Sequence, residues 1–489
     1  MANLLALLGQ TANALGAFDQ VLEVTQNNVA NASSPGYASQ SMQLNAQGFQ
    51  PPDLLGGVKA GEMQSSRDEY AEQTLRQQTT GLGQQQQAVT NYTSLQNIFN
   101  ISGNTGIPYA LNNFFQSVSA WGQAPNDQNA RQQVLAQATN VAQAFNQTAS
   151  HLQQLSQQTY TQTQSTVQQV NEIVGQIQAF NQTIINSGSA AANDPGVDAN
   201  VHAALDNLSS LINFSATKQA NGTTTILLNG NTPLLVGAQQ YSLGANLVYP
   251  SSPPAIYTNA PPETQIVASD GTDVTADCSA GQLGALLQMN NSVLPSIQGG
   301  PSQEGSLNQM AQGFADTVNQ LLTSGNISEG PPPQPGVPLF TYSATNSDGS
   351  ANPTFAASTL AVDPSVTPDK LAAINPGPPE VSNGIPLALA NLANPTSAAE
   401  EINGVSYTQF YGNIATSVGY QLQSAQNGVQ VQQSLVAQAQ NQIQQVSGVD
   451  INQQAMIAVE FQRAYEANSQ LITVLNQLTQ DTINLLGTP

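Results

Sequence analysis

The chain has 489 residues, with seven Lys plus Arg against 29 Asp plus Glu and a net charge of −22. That balance argues against phosphate-neutralising nucleic-acid binding and against a polybasic membrane site. Only 7% of residues are charged, against about 25% in an ordinary globular domain, and one cysteine, Cys278, excludes both an intramolecular disulfide framework and a multi-cysteine metal site.

The first segment, "MANLLALLGQTANALGAFDQ", lacks a cationic n-region and breaks its apolar positions with polar ones, so it does not read as a Sec-type signal peptide. Leu4, Leu8, Thr11, Leu15, Phe18, Leu22, Thr25 and Val29 then step by alternating fours and threes. This is the seam of a coiled coil, because a 3.5-residue spacing keeps one stripe towards a partner helix. "NNVANASSPGYASQ", residues 27–40, closes that helix. Asn tolerates the left-handed conformation that helix ends use. Pro35 fixes φ, Gly36 permits a positive φ, and Tyr37 offers the outgoing chain an aromatic anchor.

Interior helices carry similar stripes: Val134, Ala138, Val141, Phe145, Thr148, Leu152 and Leu155, then, after a phase slip, Val167, Val170, Val174, Ile177 and Ile184. "NGTTTILLNGNTPLLVG" predicts a hairpin at Asn229-Gly230, and "TQIVASDGTDVTADCS" a second one at Asp270-Gly271. Helical patterning returns in "GQLGALLQMNNSVLPSIQ" and "LNQMAQGFADTVNQLL", and "EGPPPQPGVPLF" opens a second β-containing stretch. Ala425, Val429, Val436, Ala439, Ile443 and Val446 form another helical stripe. The chain closes on a second coiled-coil seam: Ile457, Phe461, Ala464, Asn468, Leu471, Leu475, Leu478, Thr482 and Leu485. Neither terminal helix has a core beside it in sequence, so the two are expected to pair with each other. The fold expected is mainly α with β-containing insertions: an elongated multi-domain rod with paired terminal helices, a long-helix bundle and β-rich outer domains.

Chemistry-bearing patterns are sparse. His151 and His202 lack the neighbours of an HExxH site, and no GxSxG elbow, Walker A loop or strand-following GxGxxG occurs. Asp363 and Asp369 read as turn and helix-start residues, and Asp270, Asp273 and Asp277 as turn chemistry rather than a calcium loop. No enzyme activity, cofactor or metal is expected.

Asn27, Asn28, Val29, Ala30 and Asn31, followed by Pro35, Gly36 and Tyr37, resemble the N-terminal signature of the axial proteins of the bacterial flagellum, which comprise rod, hook and hook-associated proteins. "VSGVDINQQAMIAVEFQRAYEANSQLITVLNQLTQDTINLL" is similar to their C-terminal signature, with Phe461, Gln462, Ala464, Tyr465 and Ala467 at its centre. The family commonly has acidic residues where this chain has Gln453 and Gln454, so no salt bridge is carried over there. "LNNFFQSVSAWGQAPNDQNARQQVLAQATNVAQAFNQ", "CSAGQLGALLQMNNSVLPS" and "GVPLFTYSATNSDGSANPTFAASTLAVDPSVTPDKLAA" resemble the hook-associated protein 1 family, the hook–filament junction proteins. A hook or rod protein with the same ends is the alternative.

The resemblance implies a structural adaptor that self-assembles into an axial ring of about eleven subunits. Hook protein lies below it and the second junction protein, hook-associated protein 3, above. It also implies terminal helices that stay largely disordered in the monomer, and extracellular delivery by the flagellar type III route without a cleaved signal peptide. A flagellar export chaperone would dock on the C-terminal helix, with Ile457, Phe461, Leu471, Leu475 and Leu478 as candidates. On this reading residues 1–70 and 447–489 are the two halves of an inner coiled-coil domain. Residues 71–210, 276–325 and 399–446 build the helical bundle, 211–275 form a β-rich outer insertion, and 326–398 form a second, Pro-rich insertion.

Overall fold

A computed structural model describes residues 2–50, 54–99, 104–249, 261–301, 303–343 and 355–486. The principal helices are α1 (Ala2–Ala30), α2 (Glu69–Ile98), α3 (Gly106–Gln123), α4 (Gln128–Ser187), α5 (Pro195–Leu211), α6 (Gly281–Gln288), α7 (Ser306–Ser324), α8 (Tyr407–Ser447) and α9 (Ile451–Leu486). Strands are short and antiparallel, so the fold is mainly α with β insertions. The chain divides into two compact units. One comprises residues 1–81, 170–241 and 432–489, and the other residues 82–169 and 242–431.

In the first unit α1 packs along α9. The pair is antiparallel: Asn28 meets Gln454 at one end, and further along Phe18 lies tilted against Phe461 with ring centroids 5.7 Å apart. A hairpin, Gln40–Ala46 against Val58–Ser65, lies on α1, its register running from Gln40↔Ser65 to Ala46↔Val58 with an irregularity between Met42 and Leu44. A four-stranded antiparallel meander, Phe214–Lys218, Thr224–Leu228, Thr232–Val236 and Gln239–Gln240, completes the unit. Its central turn is Asn229-Gly230, at φ 47° and 78°. Those are the positive values the sequence pattern requires. Buried Asn181 of α4 holds this sheet by donating to the Thr224 and Gly237 carbonyls and accepting from the Thr224 amide.

The second unit is built round an aromatic core. Phe314 of α7 lies 5.6 Å from Phe114, 5.5 Å from Phe340 and 5.5 Å from Tyr407, centroid to centroid, edge-on or tilted in each case. Such arrangements are favoured by the ring quadrupole. Trp121 is fully buried, donates to the Pro125 carbonyl and is covered by the Arg131 guanidinium. The Pro-rich stretch feeds this same core with Leu339, Phe340, Ala357, Leu371 and Ile385.

Two local points sharpen the expectations. The phase slip in α4 is a pair of consecutive four-residue steps, Leu155 to Thr159 to Thr163, and Thr159, Thr163 and Thr166 carry the buried stripe across it to Val167. Each hydroxyl donates to the carbonyl four residues back, so the polar positions enter the core satisfied. At Asp270-Gly271 the turn forms, but the return strand shrinks to a single bridge, Val267↔Asp273. Glu263–Val267 pairs instead with Gly244–Val248. The 211–275 stretch is thus divided, its first four strands in one unit and the later pair in the other.

Candidate functional site: the corner joining the terminal helices

α1 ends at Ala30, and the side chain two residues before its end organises the corner. Asn28 is 1% exposed. Its amide nitrogen donates to the Gln40 carbonyl (2.7 Å) and to Gln454 Oε1 (3.0 Å). Its oxygen accepts from the Tyr37 hydroxyl (2.9 Å) and the Gln40 amide (2.9 Å). An Asn side chain has two donor hydrogens and two acceptor lone pairs. All four are used, and they join α1, the outgoing turn, the first hairpin strand and α9.

The turn itself is tightly fitted. Gly36 has φ +71°, and a Cβ there would fall on the Ala199 carbonyl oxygen and within 2.9 Å of the Ala203 nitrogen of α5. Arg67 holds the Gly36 carbonyl (2.6 Å) with the same guanidinium that pairs with Glu72 (2.6 Å) and Asp198 (2.9 Å). Burial of the Tyr37 phenol raises its pKa. Asn31 donates to Asn27 and accepts from Ser34, which closes the exposed side.

The α8–α9 break meets the same corner. The Ser39 amide donates to the Ser447 carbonyl (2.8 Å), the Ser447 hydroxyl donates to the Ser66 carbonyl (3.0 Å), and the Asp68 amide donates to the Ser447 hydroxyl (3.1 Å). Asp450 then caps α9 by accepting from the Asn452 and Gln453 amides. Chain strands far apart in sequence are thereby pinned at one place by polar contacts that are buried or half-buried.

The remaining motif residues sit at varied depths. Asn27, Val29, Ala30 and Pro35 are exposed, and Asn31, Gly36 and Tyr37 are half-buried. Leu4, Leu8, Leu15, Phe18 and Leu22 are half-buried beside a more deeply buried line of small residues, Ala14, Ala17 and Val21. On α9, Ile457, Phe461 and Ala464 are half-buried and Leu475 is buried. Gln462, Tyr465 and Ala467 face outward, and the Leu485 side chain lies outside the described residues.

The seam is corrected at three places. Val29, Leu471 and Leu478 are 43%, 52% and 48% exposed, and Asn28, Ile472 and Thr479 take the inward positions beside them. A stripe spaced at 3.5 residues drifts round a 3.6-residue helix by about 20° per heptad. A single partner helix covers too narrow a strip to track that drift. Leu471, Val474 and Leu478 therefore form an open apolar face on α9, while Ile483 elsewhere on that helix and Leu5 and Leu7 on α1 are exposed as well.

Sequence reasoning missed Arg67 and the charged group behind it. The signal was available: Glu69, Glu72 and Arg76 share one face of α2, and Asp198, His202 and Asp206 are spaced by four along α5, in a chain with few charges. No group of three His, Cys, Asp or Glu side chains suited to a metal ion occurs among the described residues. Cys278 is buried, and burial together with Asp277 and Asp273 pushes its thiol up to about 12.

Comparison with known proteins supplies the family. Residues 92–340 match the model of the flagellar hook-associated protein FlgK helical domain. The chain belongs to the flagellar hook-associated protein FlgK family. It is 23% identical to flagellar hook-associated protein 1 of Bacillus subtilis (strain 168) over 503 aligned positions, covering 97% of each chain. The fold is similar to that of the flagellar hook junction protein FlgK from Burkholderia pseudomallei, with a TM-score of 0.62 at 17% identity, over 77% of this chain and all of that one. The FlgK helical-domain match spans the stretch that contains α3 to α7, and leaves α1, the 27–40 turn and α9 outside its limits.

Proposed function

We propose that this protein is a structural subunit of the bacterial flagellum that polymerises at the hook tip and joins hook to filament. Membership of the FlgK family carries the reading. The paired ends support it physically, since their open apolar faces suit burial against further subunits. The work is done by packing rather than by a catalysed reaction. Self-association and contact with hook and filament accord with that role. The finer picture adds a ring of about eleven copies, hook-associated protein 3 above it, and extracellular delivery by the type III route.

The chaperone reading divides the five candidate residues in two. Leu471 and Leu478 are open, whereas Ile457, Phe461 and Leu475 face α1. A chaperone that grips all five must displace α1, so binding and terminal pairing exclude each other. That competition would keep the ends apart before export and allow them to order on assembly.

The test is deletion of the gene, with imaging of the cells. Hooks without filaments, with flagellin released to the medium, are expected. Cells lacking hooks altogether would refute the junction role and identify a hook or rod component instead.

A further inference from the structure

α9 keeps an uncovered stripe beside the seam it shares with α1. Met456, Arg463, Ala467, Leu471, Val474 and Leu478 are all exposed, and the 3.6-residue turn places them within about 80° of one another round the helix. Four of them are large and apolar, so the stripe gains by being covered. One cation interrupts it. Arg463 is the only Lys or Arg in residues 432–489, and its side chain makes no hydrogen bond or ion pair among the described residues. Glu460 and Glu466, three residues to either side, leave it unpaired.

The back of α1 is complementary. Leu5, Gly9, Ala12, Gly16, Asp19 and Glu23 step by alternating fours and threes, and all six are exposed. They run along the side of α1 away from the buried line Ala14, Ala17 and Val21. A Cβ at Gly9 or Gly16 would meet nothing within 4 Å, so this end of the row has room for bulky side chains. The other end is acidic. Asp19 and Glu23 are four residues apart, a like-charge spacing that destabilises a helix, and neither has an ion pair among the described residues. α1 holds no Lys or Arg, and Lys59 on the hairpin is the only one in residues 1–66.

The antiparallel pairing sets the heights of these groups. Asn28 meets Gln454, and Phe18 meets Phe461. Arg463 is nine residues beyond Gln454 and two beyond Phe461, so it stands level with residues 16–19 of α1. By the same count Leu471 is level with residues 8–11 and Val474 with residues 5–8. Within one molecule the two faces do not meet, since Arg463 has no ion pair there. Between two copies standing side by side in the same direction they reach one height. The leucine end of α9 then lies against Leu5, Gly9 and Ala12, and the guanidinium against Asp19, within a turn of Glu23.

We propose that the open face of α9 docks on the back of α1 of a second copy, with Arg463 pairing with Asp19 and Glu23 across the joint. This names the surfaces for the self-association proposed above and rests on that reading. The two faces belong to different helices and each is used once, so every copy meets two neighbours. Such a contact is heterologous, and it closes into a ring where the rotation allows. The apolar stripe supplies the attraction, and the ion pairs fix direction and height. Glu460 lies about 60° round α9 from Arg463 and stays at the rim.

The experiment is disulfide trapping in flagella isolated from cells whose only copy of the full chain carries Ala12→Cys and Ala467→Cys. Both positions are exposed, one in each face, and Ala467 is level with residues 12–15. After mild oxidation a non-reducing gel is expected to show a ladder that continues past the dimer, and monomer alone from either single variant. Buried Cys278 is common to all three chains. A ladder that stops at the dimer, dimers from a single variant, or no ladder from the double variant overturns the contact. Adding Arg463→Glu is expected to weaken the bands above monomer about tenfold, and adding Asp19→Lys and Glu23→Lys to that chain to restore them. No loss, or a loss that the paired reversal leaves unrepaired, overturns the pairing. Should the cysteine chains fail to assemble, the same charge reversals are read by filament attachment in the otherwise wild-type chain, where retained attachment in Arg463→Glu overturns it. The gel reads contact between copies wherever they sit on the flagellar axis, whereas gene deletion reads the place, so the two failures are distinct.

Discussion

Replacing Asn28 by Ala should loosen the corner far more than the same change at its neighbour Asn27. Asn28 is 1% exposed and makes four hydrogen bonds, whereas Asn27 is exposed and its side chain meets only Asn31. Truncation at position 28 strands the Gln40 amide, the Gln40 carbonyl and Gln454 Oε1 in buried surroundings, and the Tyr37 hydroxyl in half-buried ones. A buried polar group left without a partner costs about 1–3 kcal/mol. Water can reach the Tyr37 side, and Gln454 sits on a long side chain that can turn outward. The Gln40 backbone pair has no such escape, so the net loss should be about 2–4 kcal/mol. Amide exchange in residues 28–40 and 451–460 should then accelerate by about 30- to 1,000-fold. Exchange in α3 and α7, which belong to the other unit, should not change. Asn27→Ala should stay within about 0.5 kcal/mol of the wild type. Exchange in Asn28→Ala that rises no more than in Asn27→Ala would refute the hub.

Three further outcomes are expected. Gly36→Ala places a Cβ on the Ala199 carbonyl at a positive φ; it should lower the melting temperature and impair filament attachment more than Pro35→Ala does, and normal attachment would contradict the close fit. A double-mutant cycle on Phe18→Ala and Phe461→Ala should give a coupling of about 0.5–1.5 kcal/mol from the tilted ring pair, and a coupling of zero by thermal melting would place the rings apart in solution. Cys278, with its thiol raised to about 12 by burial, should resist alkylation at neutral pH until the chain unfolds, so rapid native-state labelling in a mass-spectrometric assay would contradict its burial.

Much of the fold was legible because it rests on periodicity. The steps from Val134 to Leu155 mark the buried face of α4, and Asn229-Gly230 places a hairpin, since both features depend on backbone geometry that recurs locally. Thr159, Thr163 and Thr166 were passed over because no aliphatic residue stands between Leu155 and Val167 to extend the stripe, unlike Thr148, which has Phe145 and Leu152 on either side. The bond each makes to its own helix backbone cannot be seen in a hydropathy pattern. The site was half legible. The 27–37 motif marked the corner, yet nothing local told Asn28 from Asn27, nor Leu471 from Ile472.

The sequence by itself determined that two apolar helices open and close the chain, that Pro35 and Gly36 turn the first one away, and that charges are scarce. Helical period, proline φ and residue counts are properties of neighbours along the chain. Tertiary structure alone decided which Asn is buried, that Gln454 is its partner 426 residues away, which α9 leucines stay open, and that Arg67, Glu72, Arg76 and His202 share one cluster. Those depend on where distant segments meet, and a buried polar group is settled only when every donor and acceptor around it has found its match.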